Sequence, residues 1–139
     1  MKNLIVSSAD TKYSHLLIEL YYSLKPCIKD KYDFAIFDCG LDAKTINFFN
    51  ENQIKVVKPD WEFDVPSYKV RGRENLKIQF SRFYLDKYFI GYENYVWLDS
   101  DTWINCPNTF DLYLKGAEIN GFSITPQVDR AYSKLIDIK

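Results

Sequence analysis

The chain is short of several things, and each shortage closes off a class of function. Its three cysteines, Cys27, Cys39 and Cys106, lie far apart and form no CxxC pair. A disulfide framework or a zinc site needs an even or closely spaced set, so reduced thiols in a cytoplasmic setting are expected. One histidine is present, His15. No Ser-His-Asp or Cys-His set assembles around it, and its helical place beside Leu16 reads as structural. Net charge is nearly absent: 18 Lys+Arg against 19 Asp+Glu leave −1. Nothing in that balance draws the chain to nucleic acid. The amino terminus turns polar after a short apolar run, well under the ~7–15 residues of a signal-peptide core. No window approaches the ~18 apolar residues of a membrane span, so any membrane contact is expected to be peripheral. A GxxxxGK[ST] loop and a GxGxxG fingerprint are both missing, which excludes a P-loop and a dinucleotide fold of that type. There is no internal repeat, low-complexity tract or Gly/Ser linker, so the 139 residues are expected to form a single domain, 1–139.

What is present suits a globule with a real core. Hydrophobic residues make up 47% and charged residues 27%, ordinary for a soluble domain. Aromatics are abundant, with 11 Tyr, 10 Phe and 3 Trp; they suit ring stacking, and a filled core also uses them. Apolar runs and helical periodicities alternate along the chain. Leu4–Val6 reads as a strand, and 13–25 as a helix with Leu16, Leu17, Leu20, Tyr21 and Leu24 inward, stopped by Pro26. Residues 33–38 form a second strand broken by Gly40. Asp42 caps a helix to about Asn50 with Ile46, Phe48 and Phe49 inward, and 54–57 is a third strand. Residues 58–73 look irregular, a loop length that often carries function. A helix is predicted over 74–88 with Leu76, Phe80, Phe83 and Leu85 buried. A central strand buried on both faces follows at 95–98. A helix over 108–115, a strand over 121–125 and a last helix over 128–136 complete the reading. The alternation predicts an α/β fold with a mainly parallel sheet flanked by helices.

The sharpest chemical feature is Asp99-Ser100-Asp101, directly after the apolar 95–98 strand. Ligands of open α/β sheets bind outside the carboxyl ends of the strands. Extended backbone would point residues two apart to the same side, bringing both carboxylates together. Such a pair raises one pKa unless a cation intervenes. Hard Mg²⁺ or Mn²⁺ takes one or two carboxylates plus substrate phosphates. The competing reading is a turn that caps the next segment. At the end of the first strand, Asp10 could accept a base N–H and Tyr13 could stack on a ring, or Asp10 could simply cap the helix. Arg82, among Phe80, Phe83 and Tyr84, could fork onto a phosphate or lie on a solvated helix face.

Several of these stretches resemble one family in order along the chain. Tyr95-Val96-Trp97-Leu98-Asp99-Ser100-Asp101-Thr102 resembles the strand plus DxD motif of GT-A-fold glycosyltransferases, nearest to glycosyltransferase family 8 of the lipopolysaccharide galactosyl- and glucosyltransferase type. Ala9-Asp10-Thr11-Lys12-Tyr13, Phe37-Asp38-Cys39-Gly40-Leu41 and Phe80-Ser81-Arg82-Phe83 resemble its other landmarks. The resemblance implies a GT-A fold and a nucleotide-diphospho-sugar donor, UDP-linked, with Mn²⁺ or Mg²⁺ held by Asp99 and Asp101. It implies that Asp99 also lies near the ribose and Ser100 against the nucleotide. Ala9, Asp10 and Tyr13 would hold the base, and Arg82 would approach the sugar or phosphates. The acceptor would be a glycan or lipid-linked saccharide, in the cytoplasm or at the inner membrane face. Family members are longer, with a further metal-ligating His and the acceptor cleft in the later part, so a truncated form, an incomplete product or a minimal relative is expected. His15 lies on the wrong side of the chain to replace that ligand.

Two readings compete with a metal-dependent glycosyltransferase. One is a noncatalytic or incomplete nucleotide-sugar-binding module that needs further residues or a partner. The other is a receiver-type α/β domain, which would want a phosphorylatable Asp after the third strand, where the chain has Val56-Val57-Lys58-Pro59.

Overall fold

The computed structural model describes residues 2–28, 31–73, 75–106 and 108–125. Two compact units make up the chain, Met1–Pro107 and Asn108–Lys139. The first unit holds β1 (Asn3–Ala9), α1 (Ser14–Leu24), β2 (Tyr32–Asp38), α2 (Ala43–Glu51), β3 (Lys55–Val57), α3 (Ser67–Val70), α4 (Leu76–Ser81), α5 (Leu85–Tyr88) and β4 (Asn94–Trp97). Its four strands form one sheet in the order β3-β2-β1-β4, and every pairing is parallel. All strand carboxyl ends therefore share one rim, as the predicted α/β class requires.

The pleat sorts the side chains. Leu4 and Val6 of β1 join Ala35 and Phe37 of β2 on one face, with Ile78, Leu85 and Phe89 packed over them. Register puts Trp97 beside Val6, and Trp97, Val57 and Cys39 border the same cluster. On the opposite face the side chains of Ile5 and Ile36 are fully buried, as are Leu17, Leu20 and Leu24 of α1 and Phe49 of α2. The ring of Tyr21 stacks on Phe34 at 6.2 Å. Each fully buried aliphatic or aromatic side chain contributes about 1.5–3 kcal/mol, so these two layers hold the rim in place.

Several expectations need correction. β4 is an edge strand among the described residues, pairing with β1 alone, and its residues are half-buried rather than covered on both faces. The helix predicted over 74–88 is two short helices, α4 and α5, separated at 82–84. Only Ile78, Ser81 and Leu85 of those two helices are buried. Phe80 and Phe83 lie outward, Phe83 being 73% exposed; their rings face the 58–66 loop and solvent instead of the core. In α2 the buried residues are Thr45 and Phe49, while Ile46 and Phe48 are only half-covered. The 58–73 segment contains the short helix α3.

In the second unit, α6 spans Thr109–Asn120 and ends at Gly121, whose φ of 81° closes the helix in the left-handed region. Residues 122–125 are irregular and form no strand. The helix predicted over 128–136 lies outside the described residues.

Candidate functional site

The corners after β1 and β2 are knitted together. The Cys39 amide donates to Ala9 O at 3.1 Å, and the Thr11 amide and hydroxyl donate to Gly40 O at 3.1 and 2.7 Å. The Asp38 carboxylate turns back on its own loop, accepting from the Gly40 and Leu41 amides at 2.8 and 2.7 Å. Gly40 sits at φ 110°, which a side chain rarely tolerates, so glycine makes this corner possible. Asp10 caps the turn at Thr11–Tyr13: its Oδ1 accepts from the Tyr13 amide at 3.2 Å. Ala9 is buried, whereas the Tyr13 ring is 45% exposed, with Lys12 Nζ 5.2 Å from its centroid.

Cys39 reports what surrounds it. Burial pushes its thiol up to about 12, partly offset by a hydrogen bond with Ser8 and reinforced by Asp38 and Asp10. The thiol is therefore neutral at physiological pH, and Ser8, Asp10 and Cys39 converge on one stretch of the rim. Beside it is a small cavity of about 160 Å³ lined by Asp38, Cys39, Gly40, Lys58, Pro59, Lys77 and Ile78.

At the other end of the rim, the Leu98 amide donates to Val6 O at 3.0 Å, after which the chain leaves the sheet. The backbone does not stay extended through the acidic triplet. Asp99 to Thr102 form a turn closed by the Thr102 amide donating to Asp99 O at 3.0 Å. The two carboxylates are thus presented by a turn, which corrects the expectation that strand alternation brings them together. Asp99 lies on the Trp97 side, its Oδ1 accepting from Trp97 Nε1 at 3.0 Å. Asp99 and Asp101 are exposed and Ser100 is half-buried. The Asp101 carboxylate has no hydrogen-bond partner among the described residues. Two hard carboxylates, one wholly uncommitted, suit a divalent cation whose other ligands come from water or phosphate. Among the described residues no group of three or more His, Cys, Asp or Glu gathers as a cation site. The exposed His15 lies on α1.

Arg82 caps the carboxyl end of α4, whose Ile78 packs on the same face of the sheet as Trp97. Its Nε is buried without a hydrogen-bond partner, and its guanidinium lies 5.3 Å from the Phe83 ring. A desolvated donor of this kind is costly unless something satisfies it.

The 58–66 loop is fixed to α4 and α5 by a polar cluster. Tyr88 Oη donates to Glu62 at 2.5 Å and accepts from the Asp60 amide at 3.1 Å. Lys87 Nζ reaches Glu62 at 2.9 Å, and Ser81 Oγ donates to Asp60 O at 3.3 Å. Lys77 Nζ stands 5.8 Å from the Trp61 ring. The Tyr88 hydrogen bond, then Lys87, holds the Glu62 carboxyl below the usual carboxylate range.

A larger cleft, about 970 Å³, lies elsewhere, bordered by Tyr21, Asp33, Phe34, Ile54, Phe89 and Tyr92. It draws on the first halves of β2 and β3, away from the rim, and none of the acidic or arginine candidates lines it. Rim chemistry rather than size identifies the site. Sequence reasoning does not single out Lys58; its only signal is position, just past the carboxyl end of β3.

No protein-family model and no curated protein matches the chain. Solved structures do resemble it. One is the galactosyltransferase LgtC in complex with donor and acceptor sugar analogs, at 20% identity and a TM-score of 0.56, covering 79% of this chain and 41% of that one. Another is TarS residues 1–349 of S. aureus, at 16% identity and a TM-score of 0.50, covering 87% and 33%. The chain thus spans less than half the length of either. Identities this low show the fold alone: an α/β, parallel-sheet architecture of the GT-A type expected from the sequence.

Proposed function

We propose that this chain is the donor-binding part of a metal-dependent glycosyltransferase, moving a hexosyl group from a UDP-sugar to a glycan or lipid-linked saccharide of lipopolysaccharide type. The observation that carries the reading is the rim itself. Asp10, Asp99 and Asp101 stand at the carboxyl ends of adjacent parallel strands, in a fold like that of a galactosyltransferase crystallised with donor and acceptor sugar analogs. Asp99 and Asp101 would hold Mn²⁺ or Mg²⁺. Such an ion neutralises a diphosphate and stabilises it as a leaving group. Asp10, through the oxygen its cap leaves open, would accept the base N–H. Tyr13 would stack on the base, and Ala9 and Ser100 would border the nucleotide. Arg82, with an unsatisfied buried Nε, would gain its missing partner from a donor phosphate or sugar oxygen. No nucleophilic step is assigned to Cys39, whose thiol is held neutral by burial.

One observation favours a narrower second reading, a binding module that acts only with further residues or a partner. The described residues offer two carboxylates for the cation and gather no third ligand. Among them, too, no helix is long and apolar enough to cross a membrane, and the proposed place of work is the cytoplasm or the inner membrane face.

Thermal unfolding with nucleotides tests the donor site. UDP with Mn²⁺ at about 100 times Kd adds roughly 2.7 kcal/mol of stability. Asp101→Ala should remove that gain and leave the Tm of the free protein unchanged. If no nucleoside diphosphate with metal shifts the Tm, there is no donor site. If Asp101→Ala binds UDP–Mn²⁺ as the parent does, Asp101 is not a ligand.

A further inference from the structure

We propose that Cys27 and Cys106 form a redox modification site, where a low-molecular-weight disulfide oxidises the two thiols to one reversible disulfide tying the segment after the acidic turn to the end of α1. The inference does not rest on the donor-site reading. Both cysteines are free thiols of the first unit, Cys27 buried and Cys106 exposed. A crossing point brings these distant positions together. The buried Ser23 hydroxyl of α1 donates to Leu20 O at 2.7 Å and accepts from the Ile104 amide at 3.2 Å. Cys27 lies four residues beyond Ser23, and Cys106 two beyond Ile104. Helical winding carries on past Leu24, with the Lys25 amide donating to Tyr21 O and the Cys27 amide to Leu24 O. Four residues of helix return to the same face and advance about 6 Å. Two residues of extended chain advance about 6.6 Å, so both sulfurs sit one similar step from the crossing. The Cys27 thiol registers its neighbour: burial first, and then nearby Cys106, pushes it above the ordinary thiol value.

Burial divides the labour between the two thiols. Exchange proceeds by attack of a thiolate on a disulfide sulfur, and exposed Cys106 meets a small disulfide first. Its sulfur bonds to one sulfur of the reagent, the reagent's S–S bond breaks, and the first small thiol leaves with the proton that Cys106 gave up. The Cys27 sulfur then attacks the Cys106 sulfur of this mixed disulfide. The second small thiol leaves with the Cys27 proton. Two protein thiols are oxidised and one small disulfide is reduced, with no other co-reactant. Cys27, kept protonated by burial, does not react with the reagent directly and serves as the resolving thiol. The bond needs Cα atoms about 4.4–6.8 Å apart, and the segment free to adjust is the one carrying Cys106. Residues 102–106 are irregular. Among the described residues, the bond from the Ile104 amide to Ser23 is the one hydrogen bond that 103–106 make. Cys39 stands elsewhere, after β2, and its thiol is influenced by Ser8, Asp38 and Asp10 rather than by another cysteine.

The test incubates the reduced, folded full chain with glutathione disulfide. Remaining thiols are then alkylated in denaturant, and the digest is read by mass spectrometry. The expected product is a single intramolecular link between the Cys27 and Cys106 peptides, with Cys39 alkylated. The Tm of the oxidised chain should rise by about 10 °C, because the bond closes a loop of about 80 residues in the unfolded chain, and dithiothreitol should reverse the rise. Cys39→Ser should form the same link, whereas Cys106→Ser, a change at an exposed position, should lose both the link and the Tm rise. Cys106 halted as the glutathione mixed disulfide, with Cys27 alkylated, would overturn the proposal. So would dimers joined through Cys106, a link that includes Cys39, or a Cys27–Cys106 link that forms only in denaturant.

Discussion

Replacing Tyr88 with phenylalanine removes one oxygen and tests how the loop bordering the proposed site is held. The Tyr88 hydroxyl donates to Glu62 at 2.5 Å and accepts from the Asp60 amide at 3.1 Å. The Glu62 side chain is only 5% exposed, with Lys87 Nζ at 2.9 Å as its other partner. A hydrogen bond to a charged group contributes about 1.5–3 kcal/mol. The carboxylate lies just beneath the surface of a small unit, where solvent screens it and water can replace the lost donor. The loss should therefore fall near the lower end, about 2 kcal/mol. For a chain of this length the Tm should drop by about 4–8 °C. The loss should also depend on pH, and its sign is fixed. Tyr88 and Lys87 hold the folded pKa of Glu62 below its unfolded value, about 4.3. That stabilisation is complete above the unfolded pKa and disappears as pH falls through the folded one. Parent and Tyr88→Phe stabilities, measured by urea unfolding from pH 7 down to pH 3, should draw together below about pH 4. A difference below about 0.5 kcal/mol at pH 7, or one that stays constant down to pH 3, would show that the Glu62 cluster does not hold the loop.

Two smaller perturbations probe the scaffold. Ser7 is fully buried on β1 and its hydroxyl has no hydrogen-bond partner among the described residues. Ser7→Ala removes an unsatisfied polar group and should raise stability by about 1 kcal/mol, read as a higher urea midpoint at unchanged m-value. Asp42 caps α2 by accepting from the Thr45 amide at 2.7 Å, and that hydrogen bond holds its carboxyl below the usual range. Asp42→Ala should lower the Tm at pH 7, and the deficit should shrink as acid protonates the parent's cap; Asp42→Asn should recover most of it.

The fold was legible where local rules and burial point the same way. The β1-α1-β2-α2-β3 run follows from short apolar strands, the Pro26 stop and the Asp42 cap, each acting through near neighbours in sequence. Reading failed where an apolar residue has a second use. Phe80 and Phe83 fit a helical stripe by spacing. In the structure Phe63 packs edge-on against Phe80 at 5.4 Å, while the Arg82 guanidinium takes the Phe83 ring. The core surface goes to Ile78 and Leu85 instead. An aromatic stripe that serves a loop cannot be told by periodicity from one that serves a sheet. Residues 95–98 read as a central strand because they are continuously apolar, yet the pattern does not state how many neighbours a strand has. Apolarity there records a surface fit for cover, and β1 supplies cover on one side only.

The same distinction governs the acidic triplet. Its place after a strand was readable, since Tyr95–Leu98 must end at the rim of a parallel sheet. The disposition of its carboxylates was not, because Asp and Ser satisfy an extended chain and a turn equally well. The turn bears on the proposed cation site. Strand alternation would have fixed both carboxylates against the sheet. On a turn, Asp99 is tethered to Trp97 Nε1 at 3.0 Å while Asp101 stays unheld. One anchored and one free carboxylate can close on a cation without first paying to hold two anions together. Under the proposed donor-site reading, Trp97 would be a positioning residue for Asp99. Its loss should weaken metal-dependent nucleotide binding by freeing Asp99, in addition to any cost from the apolar cluster that its ring borders.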